Sequence, residues 1–473
     1  MSSIDPAELE KKRRRHRNER IVAAALILLV GASVWWVGHW NRREAASLRK
    51  DQTYIPRPLR MTPEVTMLQE LVRIDSSKPE GVAAAARWVA AHLKRNGIDA
   101  EIIESAPSML NVYARIRGRS PGQGLLLFNH LDVVPAGEGW TRPPYDAFLF
   151  GDRMYGRGTV DMKGITICQL AAFVAVAKSG RVPEHDLVFL ATADEETGST
   201  WGMQWLLAHR PDIFTGVAYG ITEGGLTEIM SDRMTYFGIE IGGKQLVQVV
   251  VEAASKERLQ QTRVALEPYI ASRHPDRVLP EVKRFFAQLA ATRVAFRPYL
   301  ADIDATIETG QFWRLPPTYR DLVQNSIGTG PVRQVGDRWE MQVSMVNLSD
   351  EHPEKRIAWL DETVSAFDAR VSRILVKEGP NVFSAENTLV FSLLAKAARE
   401  RHGVVAGTYI LYRSISDCRF LRPRGIACYG VSPYRVTYFE SIAIHGTDES
   451  INVGAFQDGV EYLKDVVTDW SIN

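Results

Sequence analysis

The chain has 473 residues, 45% hydrophobic and 24% charged, with a formal net charge of +1. This ordinary globular composition excludes disordered and fibrous classes, and the charge balance excludes a dedicated nucleic-acid binder, whose footprint is a strongly basic domain. The balance is uneven: residues 1–50 carry eleven Lys/Arg against five Asp/Glu, a net of +6, and the remainder carries −5.

The first predicted element is residues 21–40, IVAAALILLVGASVWWVGHW, which contain no Asp, Glu, Lys or Arg. That length crosses a hydrocarbon core of about 30 Å as one helix. Seven basic residues lie between Lys11 and Arg20, and Arg42, Arg43, Arg49 and Lys50 follow. By the positive-inside bias residues 1–20 stay cytoplasmic and the body is extracytoplasmic, with Trp35, Trp36 and Trp40 at the far headgroup level. The competing reading is a cleaved signal peptide ending near Val30-Gly31-Ala32, but the apolar run continues past that point to the three Trp. Cys168, Cys418 and Cys428 make no disulfide framework and fit no zinc knuckle, so they are expected as buried thiols.

Residues 41–60 are polar and basic with Pro56 and Pro58, and read as a linker. A helical pattern from Gly81 to Gly97 follows, rich in strong helix formers and closed by Gly. Leu125–Asn129, Leu187–Thr192 and Val217–Ile221 are short apolar runs suited to a sheet covered on both faces, and Gly164–Ala177 is an apolar helix between the first two. Strands alternating with helices predict an α/β sheet with ligands gathered at the carboxyl ends of the strands. Alternating patterns after Met234, two charged amphipathic helices and a strand over Trp339–Val346 read as a smaller inserted α+β unit, residues 236–375. The α/β pattern resumes with a helix from Leu389 through Arg401, strands near Tyr409 and Tyr429, and a last helix from about Ser450. The first domain therefore spans 61–235 and 376–473.

The polar motifs fall where that architecture would use them. His130 and Asp132 follow the first strand, two residues apart on one side of an extended segment; a metal-bound imidazole commonly gives its second N–H to a carboxylate. Asp161 stands in the Gly-rich GRGTVDMKG, where a plain helix cap is the alternative. Asp194-Glu195-Glu196 ends the strand LVFLAT as three adjacent carboxylates, either a solvated acidic loop or a group awaiting a cation. Glu223-Gly224-Gly225 ends the next strand, and His445 opens HGTDES before the final helix. His130, Asp161, Glu196, Glu223 and His445 together make a donor set of imidazole and carboxylate without thiolate, suited to zinc, with manganese or cobalt as substitutes. Two ions about 3.5–4 Å apart would need a bridging carboxylate.

The order HLDVVP, GRGTVDMKG, ADEETGS, TEGG and HGTDES resembles the dinuclear zinc amidohydrolases and exopeptidases that include aminoacylase, carboxypeptidase S, acetylornithine deacetylase and succinyl-diaminopimelate desuccinylase. The stretch from His130 to Gly164 is most similar to the carboxypeptidase S branch. The resemblance implies a phosphorylase/hydrolase-like catalytic domain with an inserted lid of the dimerising type, and two Zn2+ per chain. It implies that Asp161 bridges the ions, with His130 and Glu223 on one and Glu196 and His445 on the other. Asp132 would orient His130, and Glu195 would be the general base. A cis bond after Asp161 belongs to the same pattern. Ser416–Pro433 matches the stretch before the last ligand, where Arg419 would grip a substrate carboxylate; a surface salt bridge is the other reading of Arg419.

One departure stands out. The family's lid usually carries a Gly-His-Gly-Ser segment after its first long strand, where this chain has VVVEAASKERLQ (Val249 to Gln260), and QVSMVNLSD (Gln342 to Asp350) lacks the usual later Asn-Val-Ile-Pro stretch and arginine. Losing an oxyanion donor costs on the order of a hundredfold to a thousandfold in turnover. His274 and His352 are the candidate replacements. The expectation is a single-pass anchored zinc hydrolase cleaving an amide of a small peptide or N-acyl amino acid, with a possible homodimer through the lid and no nucleic-acid partner. The alternative is a metal-binding homologue of little or no activity that serves as a binding or scaffold protein.

Overall fold

The structure is a computed structural model that describes residues 58–230, 233–270, 277–379, 382–411 and 416–472. The expected span 21–40, most of the linker and His274 lie outside these residues. Among the described residues no helix is long and apolar enough to cross a membrane.

The ordered body starts at helix α1 (Pro63–Val72), where Thr62 caps the helix through its side chain and Pro63 takes the first turn, in which its missing N–H costs nothing. Helix α2 (Pro79–Arg95) follows, and its Ala-rich face, including Ala83, Ala85 and Ala86, is buried. The large sheet begins with an antiparallel pair that the sequence reading did not single out, β1 (Glu101–Ala106) and β2 (Met109–Ile116). Its centre is β3 (Gly124–His130), fully buried along its length because helices cover both faces. A hairpin of β4 (Phe148–Phe150) and β5 (Arg153–Tyr155) precedes α3 (Lys163–Lys178), a mostly apolar, buried helix lying under the sheet. Then come β6 (Leu187–Thr192), α4 (Met203–His209), β7 (Val217–Thr222), β8 (Leu226–Met230) and β9 (Arg233–Gly243).

The second sheet is built from β10 (Gln245–Ala253), β11 (Ser326–Thr329), β12 (Arg333–Val335), β13 (Arg338–Asn347) and β14 (Ala369–Lys377). It is antiparallel with β14 at one edge, and α5 (Lys256–Ile270) and α10 (Pro353–Ser365) cover it. Val247, Val249, Val251, Leu259, Met341 and Val343 form its own core. Between α5 and β11 lie α6 (Pro280–Ala290), α7 (Arg297–Leu300), α8 (Ile303–Glu308) and α9 (Pro317–Arg320). The chain closes with α11 (Leu389–His402), β15 (Val405–Leu411), α12 (Cys418–Leu421), β16 (Ala427–Gly430), α13 (Tyr438–Ala443), β17 (Ser450–Asn452) and α14 (Val453–Ser471).

The large sheet runs β1-β2-β6-β3-β7-β16-β9-β15, with β8 on β9. The inner strands β6, β3, β7 and β16 are parallel, so their carboxyl ends share one rim. Two features differ from the sequence reading of residues 236–375. Strand β9 belongs to the large sheet, paired with β15 from Val405↔Tyr236 onward. Phe285, Phe286 and Leu289 of α6 pack into the main core with Tyr236 and Tyr409 rather than into the small one. The second sheet thus opens only at Gln245, after Lys244 crosses between the two, its buried Nζ donating to the carbonyls of Asp321 (2.8 Å) and Gln324 (2.7 Å).

Candidate metal centre

His130, Glu196 and Glu223 stand at the end of a strand or in the loop after it, Asp161 in the turn that opens α3 and His445 just past α13, and the fold brings the five together. His130 is the last residue of β3 and is buried. Its Nε2 lies 3.2 Å from Asp161 Oδ1 and 3.4 Å from Glu223 Oε1, just past β7. His445, half exposed, places its Nε2 at 3.0 Å from Asp161 Oδ2 and 3.2 Å from Glu196 Oε2. The two oxygens of Asp161 therefore face two different imidazoles. Two donor groups can each enclose an ion: His130, Asp161 and Glu196, and His130, Glu195 and Glu223, with donor atoms in each within 4.8 Å of one another.

Burial and crowded charge set the electrostatics. Burial opposes a charged imidazole at His130, yet Glu223, Asp132 and Asp161 outweigh it and hold the ring protonated well above its ordinary range. Hydrogen bonds to Asp161 and Glu196 push His445 up to about 10. Burial works against the Asp161 carboxylate, but the two imidazoles overcome it and keep it ionised far below the usual range. Glu223 is pushed up to about 8 by burial and then by the Asp161 charge, and Glu196 is raised by the same two causes. Burial raises Glu195 well above its ordinary value. Oε1 of Glu195 and Oε1 of Glu196 are buried with no hydrogen-bond partner among the described residues. Uncompensated oxygens at this density are costly, and a divalent cation among them would reverse the shifts of the three glutamates. The residues fit a metal.

Local structure explains how the carboxylates are held. The Asp161–Met162 peptide is cis. Asp132 does not hold His130 mainly through its carboxylate: Nδ1 donates to the Asp132 main-chain carbonyl at 2.9 Å, while the carboxylate is 3.5 Å away. That carboxylate instead accepts from the backbone N–H of Glu195 (3.1 Å) and of Glu196 (3.0 Å), fixing the turn that aims both glutamates. Arg419 is mostly buried rather than on the surface, with Nε 3.4 Å from Glu378 Oε1, its guanidinium over Phe420 and Nη1 without a hydrogen-bond partner among the described residues.

Two positioning groups were not singled out from the sequence. Glu449 is fully buried and accepts from the N–H of Gly158 (3.0 Å), Val160 (2.8 Å) and Asp161 (3.2 Å) and from Arg157 Nη1 (2.7 Å). It holds the whole Asp161 loop. The signal was its place in HGTDES, four residues after His445. Gln169 of α3 donates to the carbonyls of Phe128 and Ile221, tying β3 to β7 beneath the donors; nothing in an apolar helix marked it. Of the replacement histidines, His352 stands at the N-cap position of α10, and among the described residues no hydrogen bond or ion pair joins it to the centre.

An α/β sheet that collects imidazole and carboxylate donors at the rim of its parallel strands is the architecture of a metallohydrolase. The sequence model of peptidase family M20/M25/M40 matches residues 126–469, and the chain belongs to that family. It is 36% identical to succinyl-diaminopimelate desuccinylase of Gluconacetobacter diazotrophicus over 156 residues, 31% of this chain and 40% of that protein. It is 31% identical to a β-Ala-Xaa dipeptidase of Lactobacillus delbrueckii subsp. lactis over 157 residues, 30% of this chain and 32% of that one. The chain thus spans less than half the length of these relatives. The fold is similar to that of an M20 family metallo-carboxypeptidase from Sulfolobus solfataricus, with a TM-score of 0.67 and 16% identity over 87% of this chain and all of that one.

Proposed function

We propose that the protein hydrolyses an amide bond of a small peptide or N-acyl amino acid at a site for two zinc ions, with manganese or cobalt as substitutes. One observation carries this reading: the two oxygens of Asp161 face different histidines, beside a buried Glu195 carboxylate oxygen with no hydrogen-bond partner among the described residues. Bound there, the ions would polarise the scissile carbonyl and lower the pKa of water to about 7. Asp161 would be shared by the two ions, with His130 and Glu223 holding one and Glu196 and His445 the other. Glu195 takes the proton of the attacking water and passes it to the leaving amine. Asp132 keeps Glu195 and Glu196 aimed through their backbone N–H groups. Arg419, steadied by Glu378 and with Nη1 uncommitted, meets the substrate's free carboxylate.

The localisation we propose is a single membrane span over residues 21–40 with the hydrolase body extracytoplasmic. Exposed Ile374 and Leu375 on the edge strand β14 support a homodimer through the second sheet. A second reading, a binding protein without turnover, is favoured by the end of β10, which runs through Ala253 into Ala254, Ser255 and α5 with no histidine.

The test is hydrolysis of a mixed panel of N-acyl amino acids and dipeptides by the full chain with added zinc, beside Glu195→Gln. Turnover that disappears in the variant while two metals stay bound supports the hydrolase. Two bound metals with no turnover by the unaltered chain would establish the binding protein instead.

A further inference from the structure

The two most exposed large apolar side chains among the described residues are Phe439, 77% exposed, and Phe150, 66% exposed. Both neighbour Arg153. Strands β17, β5 and β4 form a separate small sheet. Its inner face, Leu149, Met154 and Ile451, packs into the main core. Alternation puts Phe148, Phe150 and Arg153 on the outer face, and Phe150 pairs directly with Arg153 across the hairpin. The rings of Phe148 and Phe150 stack with 6.4 Å between centroids, and the Arg142 guanidinium sits 4.7 Å over Phe148. Helix α13 abuts this face: Arg153 pairs with Glu440 at 2.8 Å. Phe439 and Ile442, three residues apart on one helical face, line a cavity of about 630 Å³ with Arg153. Ile442 is itself 58% exposed.

The position of this patch along the chain identifies what covers it. Residue 60, where the polar linker ends, is clipped to α14 by a reciprocal pair: Arg60 N–H donates to Gln457 Oε1 (3.3 Å) and Gln457 Nε2 donates to the Arg60 carbonyl (2.7 Å). Gln457 lies five residues from Asn452, which ends β17 and caps α14, so the chain enters the body beside the small sheet. Upstream stands the charge-free run that ends at Trp40. Twenty residues reach at most about 70 Å even when fully extended. Aromatic rings with arginines among them suit the headgroup level, where rings sit at the interface and guanidinium groups meet phosphates.

We propose that this face, Phe150 with Phe439 and Ile442 and flanked by Arg142 and Arg153, docks on the phospholipid surface of the membrane in which the chain is anchored. The proposal rests on the membrane span read from residues 21–40. Docking fixes the orientation of the body, with the small sheet against the headgroups.

The experiment uses the full chain in phosphatidylcholine vesicles containing phosphatidylglycerol. Nitroxide labels are attached at Phe150→Cys and Phe439→Cys, with Val335→Cys on the remote second sheet as reference; the three native cysteines are buried and take no label. Docking predicts that the ratio of collision with oxygen to collision with a water-soluble nickel chelate is severalfold higher at 150 and 439 than at 335. Water-like ratios at all three sites, in a chain that resists alkaline carbonate extraction, would leave the span standing and overturn the docking. Spin–spin broadening with both reagents excluded would put a second copy on the face and overturn it equally. Release of the chain by carbonate would remove the span and the proposal with it.

Discussion

Two buried charged groups in the same molecule are built on opposite principles. Glu240 and Arg422 are both buried, and one Arg422 Nη2 donates to both Glu240 oxygens at 2.7 Å while Nε reaches Ser384 Oγ. Around Asp161, by contrast, Glu195, Glu196 and Glu223 crowd two imidazoles, and two carboxylate oxygens find no partner. The first arrangement is complete within the chain and does structural work. The second is complete only with a cation, and the difference separates a scaffold from a site.

Substitution can sharpen that contrast. The largest effect is expected for Glu195→Gln, which keeps size but removes the proposed base: turnover is expected to fall on the order of a hundredfold to ten-thousandfold, while metal content by mass spectrometry and the melting temperature hold. Loss of metal along with activity would make Glu195 a ligand instead. Next comes Arg422→Ala, which strands a buried Glu240 and destabilises by about 3–5 kcal/mol, read from the urea midpoint. Combining Arg422→Met with Glu240→Leu recovers most of that loss if the pair is purely structural. Chelation comes third. Free zinc at a hundred times its Kd adds about 2.7 kcal/mol to a protein that binds it only when folded, so removing it lowers the melting temperature. Glu195→Gln retains that increment and His445→Ala loses much of it.

The same contrast explains what could be read before the structure. The five donors were legible because the order of their motifs resembles that of one family, and the structure brings their side chains together. The parallel strands were legible from apolar runs such as LVFLAT, which became Leu187–Thr192. The boundary of the second sheet was not. Residues 233–253 form two strands separated only by Lys244, a buried lysine satisfied by two distant carbonyls, and the Gly242-Gly243 pair before it stays within β9 instead of opening a loop. Helix α6 was recognisable as amphipathic, but amphipathicity shows that a face is buried and not against which core; Phe285 chose the main one through Tyr236 and Tyr409. The spacing predicts Asp132 as the partner of His130, and its carboxylate does stand 3.5 Å from Nδ1, but it also accepts from two backbone donors of a loop more than sixty residues away, which no spacing announced.

The smallest predicted effect tests the border between the two kinds of buried charge. Glu449 has features of both: Arg157 and three backbone N–H groups satisfy it, like Glu240, yet the segment it holds carries Asp161. In Glu449→Gln one oxygen becomes an NH2 that faces donors instead of accepting from them, so at least one of these bonds is lost and the loop loosens. Residues that orient metal-binding side chains from behind typically change affinity by about ten- to a hundredfold. The expected result is metal binding weakened by about that factor, measured by competition with a chelating dye, and a second-order rate constant that recovers at saturating zinc. A fall in urea stability with unchanged metal affinity would place Glu449 with Arg422 and Glu240, as part of the scaffold alone.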